Sequence, residues 1–122
     1  MEKSQKIALL KAIAHPVRIA ILEELQKGVK CVSDFEAFLS AEGGYAFGRE
    51  ISQPNISQHL AALRHAGLID FFIDGRLRCY FLKNPIIPDL IEMLKKDYPD
   101  ELPRPECCPI TKKGTYPGER RR

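Results

Sequence analysis

Between Ser4 and Ala14 the apolar side chains Ile7, Leu10, Ile13 and Ala14 recur at helical spacing, so the chain is expected to open with an amphipathic helix. His15-Pro16 ends it, and Pro16, with its fixed φ and missing N–H, suits the first turn of a second helix. Val17, Ile21, Leu22 and Leu25 form the apolar stripe of that helix up to the Lys27-Gly28 stop. A third helix is predicted from Val32-Ser33-Asp34, capped by Ser33 or Asp34, through Phe35, Phe38 and Leu39. Ala41 to Arg49 holds three glycines without a clear period and reads as a loop. The fourth helix has the clearest punctuation: Ser52 offers an N-cap oxygen, Pro54 fits the first turn, and Gly67 follows Ala66 as a left-handed stop.

After Gly67 the pattern changes to β. Leu68 to Ile73, the turn dipeptide Asp74-Gly75, and Arg76 to Leu82 predict a small hairpin. Beyond Pro85 and Pro88, the positions of Leu90, Ile91, Met93 and Leu94 predict a last helix ending near Tyr98. From Pro99 onward five prolines, several charges and few large apolar groups describe a tail that cannot pack as a domain.

Composition narrows the function. At 122 residues, 44% hydrophobic and 29% charged, the chain is near the globular average and is expected to form one domain with a thin core. No apolar run approaches the roughly 20 residues that span a bilayer. Met1-Glu2-Lys3-Ser4-Gln5-Lys6 lacks the apolar core of a signal peptide, so a cytoplasmic protein without a membrane partner is expected. The net charge of +3 is mild, and any nucleic-acid surface must therefore be a local patch. No glycine-rich phosphate cradle, nucleophile elbow or paired-histidine motif occurs, which argues against an enzyme.

On a helical wheel of Ser52 to Ala66, Ile56, Leu60 and Leu63 share one narrow face suited to burial. The opposite face carries Pro54, Gln58, Ala61 and His65, flanked by Asn55, Ser57 and Arg64. Amide, hydroxyl and guanidinium groups reach base edges, and a small Ala61 lets the backbone approach a groove. An ordinary solvated helix face is the bland alternative. Such faces usually carry Glu and Lys, and this segment carries neither.

These segments resemble the ArsR/SmtB family of metal- and thiol-responsive repressors. The resemblance rests on Leu10 to Leu22, on Cys31-Val32-Ser33-Asp34-Phe35, on Ser52 to Leu60 continuing through Leu63 to Ile69, and on Gly75-Arg76 followed by Tyr80. It implies a mainly α fold with a small β-hairpin, a winged helix-turn-helix that forms a homodimer through its first and last helices. Residues 1–98 would be the DNA-binding and dimerisation domain and 99–122 a proline-rich, cysteine-containing tail. The expected DNA-binding residues are Ser52, Gln53, Asn55, Ser57, Gln58, Arg64 and His65 on the helix, with Arg76 and Arg78 on the wing. Double-stranded operator DNA is the implied partner, and an effector relieves repression. The family joins its supporting and recognition helices by a tight turn. Here Ala41 to Arg49 is inserted, either as a surface loop or as a carrier of an extra phosphate contact through Arg49.

The effector site departs from the relatives. Zinc sensors use His and acidic ligands on the last helix, whereas Pro88 to Tyr98 offers Asp89, Glu92 and Asp97 without a histidine. Arsenite sensors place Cys-Val-Cys at the start of the third helix, and this chain reads Cys31-Val32-Ser33, with one thiol replaced. Cys107-Cys108 in the tail supplies two adjacent thiols able to turn toward one large soft ion, as in relatives that sense trivalent arsenic through paired C-terminal cysteines. The expected metal ligands are thus Cys107 and Cys108, with Cys31 or Cys79 as third thiol and As(III) or Sb(III) as effector; no permanent cofactor is implied. Three alternatives stay open: a tail whose thiols are inert, a redox- or persulfide-responsive repressor of the same fold, and a winged-helix module used for protein contacts. Cys79 reads as a small packed thiol, and His15, His59 and His65 form no metal-like cluster.

Overall fold

The structure, a computed structural model, describes residues 1–39 and 53–106. Among the described residues, five helices and a three-stranded sheet follow in the order α1 (Lys3–Ile13), α2 (Pro16–Gln26), β1 (Lys30–Cys31), α3 (Val32–Phe38), α4 (Gln53–His65), β2 (Ile69–Asp74), β3 (Leu77–Leu82) and α5 (Ile86–Lys95). Ser52, the Ala41 to Arg49 insertion, Cys107 and Cys108 lie outside the described residues.

Local chemistry explains the boundaries. Pro16 occupies the first turn of α2, and the His15 ring caps it by accepting from the Val17 N–H at 3.1 Å. At the end of α4, Gly67 has φ +78°, the Gly67 N–H donates to the Arg64 carbonyl, and the Leu68 N–H donates to that of Leu63. That pair of bonds is a Schellman stop, and it turns the chain straight into the hairpin.

Four expectations need correction. The N-cap of α3 is Cys31 rather than Ser33 or Asp34, because Asp34 sits at the third helical position and its carboxylate accepts from the Cys31 N–H at 2.9 Å. A short strand precedes that helix: β1 pairs antiparallel with β3, giving the order β1-β3-β2 where a hairpin alone was expected. The turn of the hairpin is Gly75-Arg76, because Asp74 pairs with Leu77 and Gly75 takes the positive φ of +62° at the first turn position. Finally, α5 starts at Ile86 and ends at Lys95 instead of lying beyond Pro88 and reaching Tyr98. Pro88 is in its first turn, where a missing N–H leaves no helical bond unmade, and the Asn84 carboxamide oxygen accepts from the Ile86 N–H.

One hydrophobic core runs through the domain, with Ile21 and Leu22 of α2, Phe35 of α3, Ile56, Leu60 and Leu63 of α4, and Ile87 of α5 all fully buried. On α1, by contrast, Leu9 and Ile13 are buried while Ile7 and Leu10 are 46% and 55% exposed. The α1 stripe read from the sequence is therefore split, part of it facing the core and part left uncovered. Met93 and Leu94 on α5 are uncovered in the same way.

Candidate nucleic-acid interface

Burial of Ile56, Leu60 and Leu63 forces the other side of α4 outward. Asn55, Ser57, Gln58, Ala61, Arg64 and His65 are all exposed there, and Gln53 contributes the first residue of the helix. The sheet brings its wing alongside: Ser57, Ala61 and Arg64 of α4 face Phe71 of β2 and Arg78 of β3 across an open cleft of about 280 Å³. Arg76 stands exposed at the tip of the turn.

Phe71 organises the cleft. The Arg64 guanidinium lies 4.5 Å and the Arg78 guanidinium 4.8 Å from its ring centroid, so one aromatic ring holds a cation from the helix and a cation from the wing. Arg64 also donates through Nε to the Asp70 carboxylate at 3.0 Å, and Lys83 approaches the other oxygen at 3.9 Å. Asp70 is held below the usual carboxylate range, first by the Phe71 N–H and then by Arg64. Arg64 thus joins α4 to the base of the wing as well as facing outward. The sequence reading missed Phe71 and Asp70; an aromatic residue between basic positions of two different elements was the available signal.

Behind the outer face, α4 is anchored to the α1–α2 junction. Arg18 donates through Nε to Nδ1 of His59 at 3.0 Å and through Nη1 to the Ala12 carbonyl at 3.1 Å, and the His15 and His59 rings are 4.4 Å apart. His59 accepts only when neutral, and desolvation first, then His15 and Arg18, pull its pKa below the usual 6.5. The unfolded chain takes that proton first, so the stability His59 contributes is present above about pH 6.5 and is lost as pH falls through its folded value. The melting temperature is accordingly expected to drop between about pH 7.5 and pH 5. His59→Gln, which keeps an acceptor for Arg18 but does not titrate, should flatten that drop; an unchanged pH profile would count against the role.

The remaining thiols are Cys31 and Cys79, both partly buried and free. The Cys31 thiol donates to the Asp34 carboxylate at 3.0 Å, and this bond, ahead of the one from the Cys31 N–H, holds Asp34 below its ordinary range. Among the described residues no three His, Cys, Asp or Glu side chains are placed to hold a metal ion, and no helix is long and apolar enough to cross a membrane.

An exposed polar helix face set beside an arginine-bearing hairpin defines a winged helix-turn-helix DNA-binding regulator. Residues 13–70 match the family model described as a helix-turn-helix domain. The chain is similar to the biofilm growth-associated repressor of Agrobacterium fabrum, 34% identical over 96 residues that cover 77% of this chain and 74% of that one. It is similar also to the transcriptional repressor SmtB of Mycobacterium tuberculosis, 36% identical over 74 residues covering 61% and 47% of the two chains. Among solved structures, HlyU from Vibrio cholerae superposes with a TM-score of 0.64 at 32% identity, covering 77% of this chain and 94% of that one. The chain belongs to the ArsR/SmtB family of transcriptional regulators, and is not an enzyme.

Proposed function

We propose that the protein is a repressor that binds, as a homodimer, an inverted repeat in double-stranded operator DNA and leaves it when a soft metalloid joins its thiols. The observation that carries the DNA-reading part is the exposure of Asn55, Ser57 and Gln58 on α4, the helix whose Ser57, Ala61 and Arg64 share a cleft with Arg78 of the wing. Asn and Gln side chains read base edges in the major groove, while wing arginines neutralise phosphates. Ser52, Gln53 and His65 extend the helix contacts, and Arg76 extends those of the wing. The uncovered Ile7 and Leu10 of α1, with Met93 and Leu94 of α5, supply the apolar surface of the dimer. Two half-sites about one helical turn, roughly 34 Å, apart then match the twofold axis.

As(III) or Sb(III) is the effector in this reading, held by Cys107 and Cys108 with Cys31 as the third thiolate. Cys31 supports it by position: it caps α3, the helix that packs on α4, so pulling on it disturbs the DNA-reading pair. No resident cofactor is required.

One anisotropy titration on labelled DNA tests both parts. Arg76→Ala/Arg78→Ala is expected to weaken operator and random duplex alike and to flatten the salt dependence, by about 0.9 in log–log slope per lost phosphate contact. Arsenite should release the unaltered protein, and Cys107→Ser/Cys108→Ser should need far more of it. Release of that variant at the same arsenite concentration would remove the tail pair from the sensor.

A further inference from the structure

The sheet brings together two cysteines that lie far apart in the chain. In the β1–β3 ladder Cys31 is paired directly with Cys79, and Cys79 is paired on its other side with Phe72. Because the ladder aligns them, the two thiols share one face of the sheet, opposite to the face on which Tyr80 enters the core. The Cys31 N–H donates to Asp34 instead of across the ladder, which marks this as the non-hydrogen-bonded kind of pair. Cα atoms in such pairs stand about 4.5 Å apart, inside the roughly 4.4–6.8 Å range that natural disulfides span.

Access and proton handling are also present. Cys31 opens onto a cleft of about 350 Å³ that it shares with Ser33, Glu36, Arg76 and Arg78. Its thiol already points its proton at the Asp34 carboxylate, 3.0 Å away. Cys79 is absent from that cleft and its thiol is pushed up, first by desolvation and then by the negative charge of Asp74. The two sulfurs are therefore unequal: Cys31 meets a solute from solvent, and Cys79 waits beside it.

We propose that Cys31 and Cys79 are a redox-modification site, a cross-strand dithiol that hydrogen peroxide closes to a disulfide and so weakens DNA binding. Cys31 attacks one peroxide oxygen as its proton passes to Asp34. The sulfur–oxygen bond forms, the oxygen–oxygen bond breaks, and the leaving oxygen takes that proton and departs as water. The resulting sulfenic acid is attacked by the Cys79 sulfur, and its oxygen leaves as a second water carrying the Cys79 proton. Overall, two thiols and one peroxide become one disulfide and two waters, with the sulfurs oxidised and the peroxide reduced. Closure takes the Cys31 sulfur from Asp34 and Ser33, at the first turn of α3, and ties it to the strand that carries Arg78. The reduced and oxidised forms then differ at both halves of the DNA surface. The effect on affinity rests on the DNA-reading function proposed above; the chemistry of the pair does not.

The test uses the full chain carrying Cys107→Ser/Cys108→Ser, so that Cys31 and Cys79 are the only thiols. After peroxide, intact mass should fall by two hydrogens, peptide mapping should recover Cys31 linked to Cys79, and a thiol reductant should reverse both. Operator affinity should fall about tenfold on closure and return on reduction. Adding Cys79→Ser should leave Cys31 oxidised to oxyacids, with no cross-link and no reversible step. Recovery of Cys31 oxyacids beside a free Cys79 in the parent protein would overturn the proposal, as would a cross-linked protein whose operator affinity is unchanged. Failure of the reduced protein to prefer operator over random DNA would instead overturn the DNA-reading function, and the mass and mapping results would still decide the disulfide.

Discussion

Replacing Asn55 and Gln58 together by alanine should cut the preference for operator over random duplex by roughly 30-fold or more while leaving the fold intact. Each bidentate amide-to-base contact discriminates by about 1–3 kcal/mol, so two lost contacts give about 2–6 kcal/mol. Both side chains are exposed on α4, away from the buried Ile56, Leu60 and Leu63, and the melting temperature should therefore stay within about a degree or two. Binding to random DNA should change little, because the phosphate contacts survive. Competition titrations against both duplexes measure the ratio. A uniform loss on both would mean that these residues position the helix without reading sequence.

Phe35→Ala should be the most damaging single truncation outside the DNA surface. Phe35 is 0% exposed, with its ring edge-on to Phe38 at 5.2 Å and to Tyr80 at 6.2 Å, so it locks α3 to the core face of the sheet. Removing a buried phenyl costs about 3–5 kcal/mol. Against a total of about 5–15 kcal/mol for a domain, that leaves a marginal fold. Urea unfolding should show the midpoint falling sharply. Ile73→Ala, at a wing position 67% exposed, is the matched control and should shift stability by less than about 0.5 kcal/mol. Equal effects from the two would mean that the core does not run through Phe35.

What the sequence made legible follows from how local each signal is. The limits and buried face of α4 came from Pro54, Gly67 and the spacing of Ile56, Leu60 and Leu63, all within one helix. The short β1 could not be read, because Lys30-Cys31 is too brief to show a period of 2 and exists only through its pairing with β3. Pro88 read as a breaker because its position within the first turn depends on where α5 begins, and Asn84 sets that. The hairpin turn was read one residue early, since Asp74-Gly75 is a good turn dipeptide but Gly75 is needed at the first turn position.

The site divides the same way. The outward face of α4 was visible from its own spacing, while the stacking of Arg64 and Arg78 on Phe71 and the pairing of Cys31 with Cys79 join distant segments. The division of α1 between a buried and an uncovered side could not be read, because periodicity finds an apolar face without saying what covers it.

The central claim is that α4 and the wing form one sequence-reading DNA surface. Its most direct test is an anisotropy titration of the reduced full chain against the duplex upstream of its own gene and a scrambled duplex of equal length, across a range of salt. The upstream duplex should bind at least roughly a thousandfold more tightly, with the logarithm of affinity falling linearly with that of salt. Equal affinity for the two duplexes, or affinity indifferent to salt, would contradict the account.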